Sequence, residues 1–323
     1  MDLARAARTL NDVGYGYIGS WALLTACEEH VFDRLPARVE ELSDAYPDGD
    51  LVTTWFRVLE GIGVVEENNG EWSQPEEMAT LLTGENSYAD YLGGQILRQM
   101  VPRLTLGTTG VNVLGTALRQ PESRTGYDGL FADAAEAQAY QRSQFAGSVG
   151  PARALSKLLP PPSGRVFDLG GGWGAMARAI AERHEVDVDV VDLEPVVSAA
   201  PPAHERVRFV AGSALDPSTW PTGRNYEGAV LSYLFSSVPG STHEVVLDGL
   251  AGTGVDWVAV HDFFLDSGAH APSWSLQHAV FVPGHRSSTT GEVGTMLAAR
   301  GWTEVTTAPL VDEMTSLVIA RSN

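Results

Sequence analysis

Residues 166–180 read VFDLGGGWGAMARAI, and this stretch decides the architecture. Its opening has the character of a short buried strand, interrupted only by Asp168. Gly170-x-Gly172-x-Gly174 follows at once, and an alanine-rich helical stretch opens behind it. Glycines in such a loop accept positive φ and let a ligand approach the backbone. The start of the helix adds free N–H groups and a field that favours a carboxylate or phosphate. The next apolar run, VDVDVVDL (186–193), ends at Asp192, 22 residues beyond Gly170. An acid at that place can accept both ribose hydroxyls of a nucleoside cofactor. A glycine loop alone is equally what a tight turn needs. The order strand, loop, helix, strand, acid is what predicts a nucleoside site.

Working outward, VRFVAG (207–212), GAVLSYLF (228–235) and DWVAVHDFF (256–264) read as further strands with helical stretches between them. That alternation predicts an α/β domain with a doubly wound, Rossmann-like sheet. The proline-rich LLPPPSG (158–164) marks its expected start, giving a catalytic domain over 161–323. Ahead of it the chain is mainly helical. In DLVTTWFRVLEGIGVVEENNGEWSQ (50–74) a helix meets glycine and is followed by a hairpin with an Asn-Gly turn. Helices followed by such a hairpin make a winged-helix-like unit, expected over 1–95, with linking helices over 96–160.

Composition narrows the partners. The 323 residues carry 21 basic and 41 acidic side chains, a net charge of −20. Such a field opposes nucleic acid and anionic membrane surfaces. The hairpin unit is itself acidic, with Asp50, Glu60, Glu66, Glu67, Glu71, Glu76 and Glu77 around it, so a structural, dimer-forming role is expected rather than DNA binding. Cys27, the one cysteine, sits on a helical face and reads as buried filler. The start lacks a signal-peptide pattern and no run suits a membrane span, so a cytoplasmic location is expected.

The loop also discriminates between nucleosides. Asp168, just before it, would sit poorly beside a pyrophosphate but well beside an ammonium group. S-adenosylmethionine, with its amino acid end and sulfonium, fits an acidic loop. VFDLGGGWG, VVDLEPVV and VRFVAGSALDP together resemble the successive cofactor motifs of class I S-adenosylmethionine-dependent methyltransferases, of the two-domain O-methyltransferase type. The likeness covers nearly the whole chain. It implies that Gly170, Gly172 and Gly174 line the methionine part, with Asp168 beside them, and that Asp192 holds the ribose. Ser213 and Ala214 would flank the adenine, with Asp216 either joining them or capping a turn before Pro217. A homodimer through the front domain is a further implication.

One departure redirects the chemistry. O-methylating members of that family carry a catalytic histidine after the fourth strand. Here the stretch is VLSYLFSSVPG, and no histidine lies between His204 and His243. Attention moves to His261 and Asp262, at the end of the fifth strand where doubly wound folds bind their ligands, and to His278. Two histidines and a carboxylate are the facial triad of many non-haem metal sites. Neighbours in a regular strand point to opposite faces, so these two share an ion only if the chain turns. His270 or His285 could stand in for His278.

The pattern resembles a subgroup of metal-dependent C-methyltransferases acting on 2-oxo acids for antibiotic-type peptide products. That likeness implies a divalent ion, iron or zinc, on His261, Asp262 and His278. It would stabilise the enolate of a 2-oxo acid as a Lewis acid. Tyr233, Asp266 or metal-bound water would take the C3 proton, and Arg98, Arg103 or Arg142 would meet the substrate carboxylate. Trp274, Phe263, Phe264 and Phe281 would line an apolar pocket. The alternatives are O-methylation with His261 as base and Asp262 as its orienter, and a non-catalytic binding protein.

Overall fold

The computed structural model describes residues 3–46, 49–83, 134–202, 204–221, 223–268, 281–311 and 314–322, together with positions 86, 89, 97, 126, 271, 275, 278 and 279. The chain divides into two compact units, Met1–Val111 and Asn112–Asn323.

In the first unit, helices α1 (Leu3–Glu28), α2 (Gly49–Gly61) and α3 (Glu76–Leu82) accompany a small antiparallel sheet of β1 (Ala37–Arg38), β2 (Glu66–Asn68) and β3 (Glu71–Ser73), in the order β1-β3-β2. Helix α2 forms because Val52, Phe56 and Leu59 recur at helical spacing, and all three are buried. The hairpin turn is Asn69-Gly70, with φ of 56° and 82°. Two positive φ values are what a type I′ turn demands, and they match the twist of the strands it joins. The turn sets the register Glu66↔Ser73, which aims Trp72 at the edge of Phe56, 5.3 Å between ring centroids. Cys27 is buried in the same apolar cluster.

The second unit carries α4 (Ala134–Leu158), β4 (Arg165–Leu169), α5 (Ala175–His184), β5 (Val188–Asp192), α6 (Glu194–Ser198), β6 (Val207–Ala211), β7 (Tyr226–Ser232), α7 (Leu234–Ser237), α8 (His243–Thr253), β8 (Trp257–Asp262), α9 (Thr290–Ala298), β9 (Trp302–Val311) and β10 (Thr315–Ser322). Seven strands make one sheet in the order β6-β5-β4-β7-β8-β10-β9. The first five are mutually parallel, and β10 runs antiparallel to both its neighbours. Apolar layers cover both faces, which is why the central strands read as nearly unbroken apolar runs. On β8 the side chains alternate: Val258 and Val260 join the layer under α8 and α9, while Trp257 and Ala259 join the layer under α4 and α5. Trp257 packs so closely on β7 that a side chain at its register partner Gly228 would overlap the indole.

The proline-rich stretch does not divide the chain. Ala152, Leu155 and Leu159 pack with Val166 and Ile180, so α4 belongs to the sheet unit and the prolines form its link to β4. The unit boundary, 111/112, falls inside the 96–160 expected for linking helices. No described helix is long and apolar enough to cross a membrane.

Candidate active site

Strands β4, β5 and β6 end side by side at their carboxyl edge, where doubly wound folds collect ligands. The loop after β4 is held by two bonds to β5: the Gly170 N–H donates to Val191 O at 2.8 Å, and the Gly172 N–H to Asp192 Oδ2 at 2.7 Å. Gly170, Gly172 and Gly174 all have left-handed backbones, with φ of 70°, 56° and 75°. Space is as restrictive as conformation. A Cβ at Gly170 would stand 2.9 Å from Leu234 Cδ1, and one at Gly171 would run into the Asp168 carboxylate. The alternating glycines of the sequence are therefore required, and their bare backbone forms a cradle.

Two acids flank that cradle. Asp168 is fully buried and accepts one bond, from the Ala177 N–H in the first turn of α5, at 3.2 Å. Its Oδ1 is buried without a hydrogen-bond partner. Burial, with Asp192 adding a like charge, pushes its pKa up to about 7. A buried carboxylate oxygen lacking a donor is costly, and an ammonium group would relieve it. Asp192 accepts from the Gly172 and Leu193 N–H groups, both at 2.7 Å, and burial raises its pKa to about 6. Each of its oxygens keeps a second lone pair for a ligand hydroxyl. Beside it the Gly212 N–H donates to Asp192 O at 2.9 Å, which brings the turn of Ser213 and Ala214 next to the acid. Ser213 steadies that turn, accepting from the Leu215 N–H at its Oγ and from Trp220 Nε1 at its carbonyl. Asp216 caps the following turn, accepting from the Ser218 N–H and Oγ–H. An unpaired acid beside a glycine cradle, with a ribose-competent acid across from it, fits S-adenosylmethionine.

The expected metal triad fares differently. Strand β8 stays in register through both residues, with His261 opposite Leu317 and Asp262 opposite Ser316. The chain does not turn at His261, so the two side chains face opposite sides of the sheet. His261 is completely buried, and both ring nitrogens are engaged: Nδ1 with Ser232 Oγ and Nε2 with Thr315 Oγ1, each at 2.9 Å. Burial pushes its pKa down to about 3. Asp262 accepts from the Ser236 N–H at 3.0 Å and the Phe263 N–H at 2.8 Å, and so fixes the short helix α7. His261, Asp262 and His278 therefore do not form the ligand set of one ion. Among the described residues, no three His, Cys, Asp or Glu side chains are grouped to hold a metal. The same bonds remove His261 as a base oriented by Asp262.

What stands at the ends of β7 and β8 is an aromatic row. Tyr233, with φ of 57°, donates its N–H to His261 O at 2.8 Å and stacks on Phe263, 4.8 Å between centroids. Phe263 lies 5.6 Å from the His278 ring, and His278 lies 6.3 Å from His285. His285 is anchored at both nitrogens: Nδ1 meets Ser236 O at 3.1 Å, and Nε2 meets Ser275 Oγ and Ser287 Oγ at 3.2 and 3.3 Å. His278 is buried, and no hydrogen bond holds its ring among the described residues. Burial, with a contribution from His285, pushes its pKa down to about 3, so the ring is neutral, with its proton-accepting form fully populated but less basic than an exposed imidazole. Leu234, between Tyr233 and Ser236, touches the Gly170 position and ties this row to the cofactor cradle.

Other expected residues are placed differently. Asp266 caps α9, accepting from the Thr290 N–H at 2.9 Å and its hydroxyl at 2.6 Å, and is not poised as a base. Arg142 is exposed on α4. Phe264 belongs to the sheet core, and Phe281 is half-buried. Arg98, Arg103, His270 and Trp274 lie outside the described residues. The anchoring of His285 by two serines had no signal in the sequence, because its partners are ten and two residues away without a motif.

Residues 148–223, which hold the glycine loop, Asp192 and Ser213, match the O-methyltransferase domain family. No protein of curated function matches the chain in sequence. Among solved structures it is similar to human N-acetylserotonin methyltransferase in complex with S-adenosylmethionine, at 19% identity, covering 100% of this chain and 99% of that one, with a TM-score of 0.79. It is similar to mitomycin 7-O-methyltransferase at 18% identity, covering 99% and 98%, TM-score 0.80. An O-methyltransferase family protein from Burkholderia thailandensis matches at 17% identity over 98% of each chain, TM-score 0.79. These likenesses establish the shared fold.

Proposed function

We infer that this chain is an S-adenosylmethionine-dependent methyltransferase, and that it delivers the methyl group to an oxygen of a small organic acceptor. The observation that carries the cofactor half is the unpaired, buried Asp168 Oδ1 beside a glycine cradle whose left-handed backbone disfavours any side chain. When bound, S-adenosylmethionine supplies an electrophilic methyl on its sulfonium. The chain supplies the rest. Asp168 meets the ammonium, Gly170 to Gly174 line the methionine part, Asp192 holds the ribose hydroxyls and the Ser213–Ala214 turn borders the base.

For the acceptor half, His278 supports transfer to oxygen. A hydroxyl must lose its proton as it is methylated, and a positioned base is typically worth 10²–10⁴ in rate. His278 is neutral and buried, and among the described residues no hydrogen bond holds a ring nitrogen back from that proton. The Phe263 ring and the anchored His285 ring, 5.6 and 6.3 Å from it, restrict how it can turn. The burial that keeps it neutral also disfavours a standing imidazolium. Proton transfer therefore accompanies methylation rather than preceding it. Phe263 and Tyr233 present flat apolar faces, which suit an aromatic or enolic acceptor.

The test is incubation with methyl-labelled cofactor and a panel of phenols, enols and hydroxy acids, read by mass spectrometry. A singly methylated product that disappears in His278→Gln supports the assignment. Undiminished product in that variant refutes His278 as the base.

A further inference from the structure

Among the described residues, four buried side-chain atoms lack a hydrogen bond: Gln74 Nε2, Asp168 Oδ1, Trp173 Nε1 and Trp257 Nε1. Two of the four belong to the glycine loop and its approach. Trp173 sits between Gly172 and Gly174, is 8% exposed, and joins neither apolar layer of the sheet among the described residues. A buried indole outside both apolar layers of the described residues, with its N–H unused, has had its donor desolvated for no internal return.

The two loop orphans have opposite needs. A carboxylate oxygen only accepts, and an indole N–H only donates. The ligand group that satisfies both carries a cationic donor and an anionic acceptor close together, as the ammonium and carboxylate of an α-amino acid do. The field at the start of the ten-residue helix α5, two residues beyond Trp173, favours the anionic half at this position. We propose that Trp173 Nε1–H receives the α-carboxylate of the cofactor's amino acid end, opposite Asp168, and so distinguishes the complete cofactor from nucleosides that lack it. The role rests on the cofactor assignment above and extends it to a residue chosen for its donor rather than its bulk.

Calorimetry tests it with two probes, S-adenosylhomocysteine and 5′-methylthioadenosine. The second keeps adenine, ribose and thioether but ends in a methyl group. Trp173→Phe keeps the ring and removes the donor. Hydrogen bonds to charged groups are worth roughly 10- to 100-fold in affinity. The variant should therefore bind S-adenosylhomocysteine at least about 10-fold more weakly, with 5′-methylthioadenosine unchanged. Equal affinities in the two proteins for S-adenosylhomocysteine, or an equal loss for both probes, overturns the proposal. A wild-type protein that binds neither probe overturns the cofactor assignment itself. If Trp173→Phe does not fold, indole resonances of ¹⁵N-tryptophan-labelled wild-type protein decide. One Nε1–H signal should move with S-adenosylhomocysteine and stay in place with 5′-methylthioadenosine, and identical responses to both contradict the proposal.

Discussion

His261 and Asp262 are consecutive residues of one strand, yet His261 is bonded to Ser232 and Thr315 on one face of the sheet while Asp262 holds the Ser236 N–H on the other. The pair is thus two separate structural devices. His261→Ala would take the ring partner from the half-buried Ser232 hydroxyl, leave the Thr315 hydroxyl with only the Val311 N–H, and open a cavity, at a combined cost of about 2–4 kcal/mol. Chemical denaturation should show that loss, while S-adenosylhomocysteine affinity stays within about twofold. Full stability with lost activity would restore His261 to the chemistry.

The depressed pKa of His261 has a consequence for acid stability. Its folded value, about 3, lies below the ordinary 6.5, so the unfolded chain binds the extra proton between those limits. Stability from this group is complete above pH 6.5 and falls as pH drops toward 3, by up to about 1.4 kcal/mol per pH unit. Asp168 and Asp192, raised to about 7 and 6, act in the opposite direction over pH 7 to 4. The wild-type minus His261→Gln difference in unfolding free energy isolates the histidine. It should shrink steadily from pH 6.5 to 4.5, and a flat difference would contradict the burial argument.

Cofactor affinity should depend on pH through Asp168. With its pKa near 7, the carboxyl must lose a proton to meet an ammonium. Binding of S-adenosylhomocysteine should weaken as pH falls below 7, approaching 10-fold per unit. Asp168→Asn should bind more weakly at pH 8 and lose most of this dependence, leaving the smaller contribution of Asp192. Calorimetry at pH 6, 7 and 8 checks both.

His278 separates binding from chemistry. His278→Gln removes the proton acceptor without touching the cofactor cradle, so the rate of methyl transfer should drop 10²–10⁴-fold with S-adenosylhomocysteine affinity unchanged. Because the ring stays neutral far below pH 6.5, the wild-type rate at saturating S-adenosylmethionine should show no histidine-type rise between pH 6 and 7. Such a rise would point to another base.

Much of the fold was legible because it is written in local patterns. The glycines before α5, the acid ending β5 and the Asn-Gly hairpin each act within a few residues, and their φ values and bonds follow from residue type. The site at the end of β8 was not. Which way His261 and Asp262 face depends on whether the strand continues, and that is fixed by pairing with β10, some fifty residues later. The serines and threonine that occupy His261 and His285 are likewise distant or unpatterned partners. Asp266 resembled a base only until Thr290 was found above it. Metal ligands and structural histidines have the same spelling in a sequence, and the hydrogen bonds of both ring nitrogens are what separate them here.

The atom that receives the methyl group tests the account most directly. Wild-type protein, ¹³C-methyl-labelled cofactor and a mixed panel of phenols, enols, hydroxy acids and 2-oxo acids should yield label in a methoxy carbon, read by carbon NMR of the isolated product. Label in a methyl bonded to carbon, formed from a 2-oxo acid, would contradict oxygen as the acceptor and His278 as the group that takes its proton.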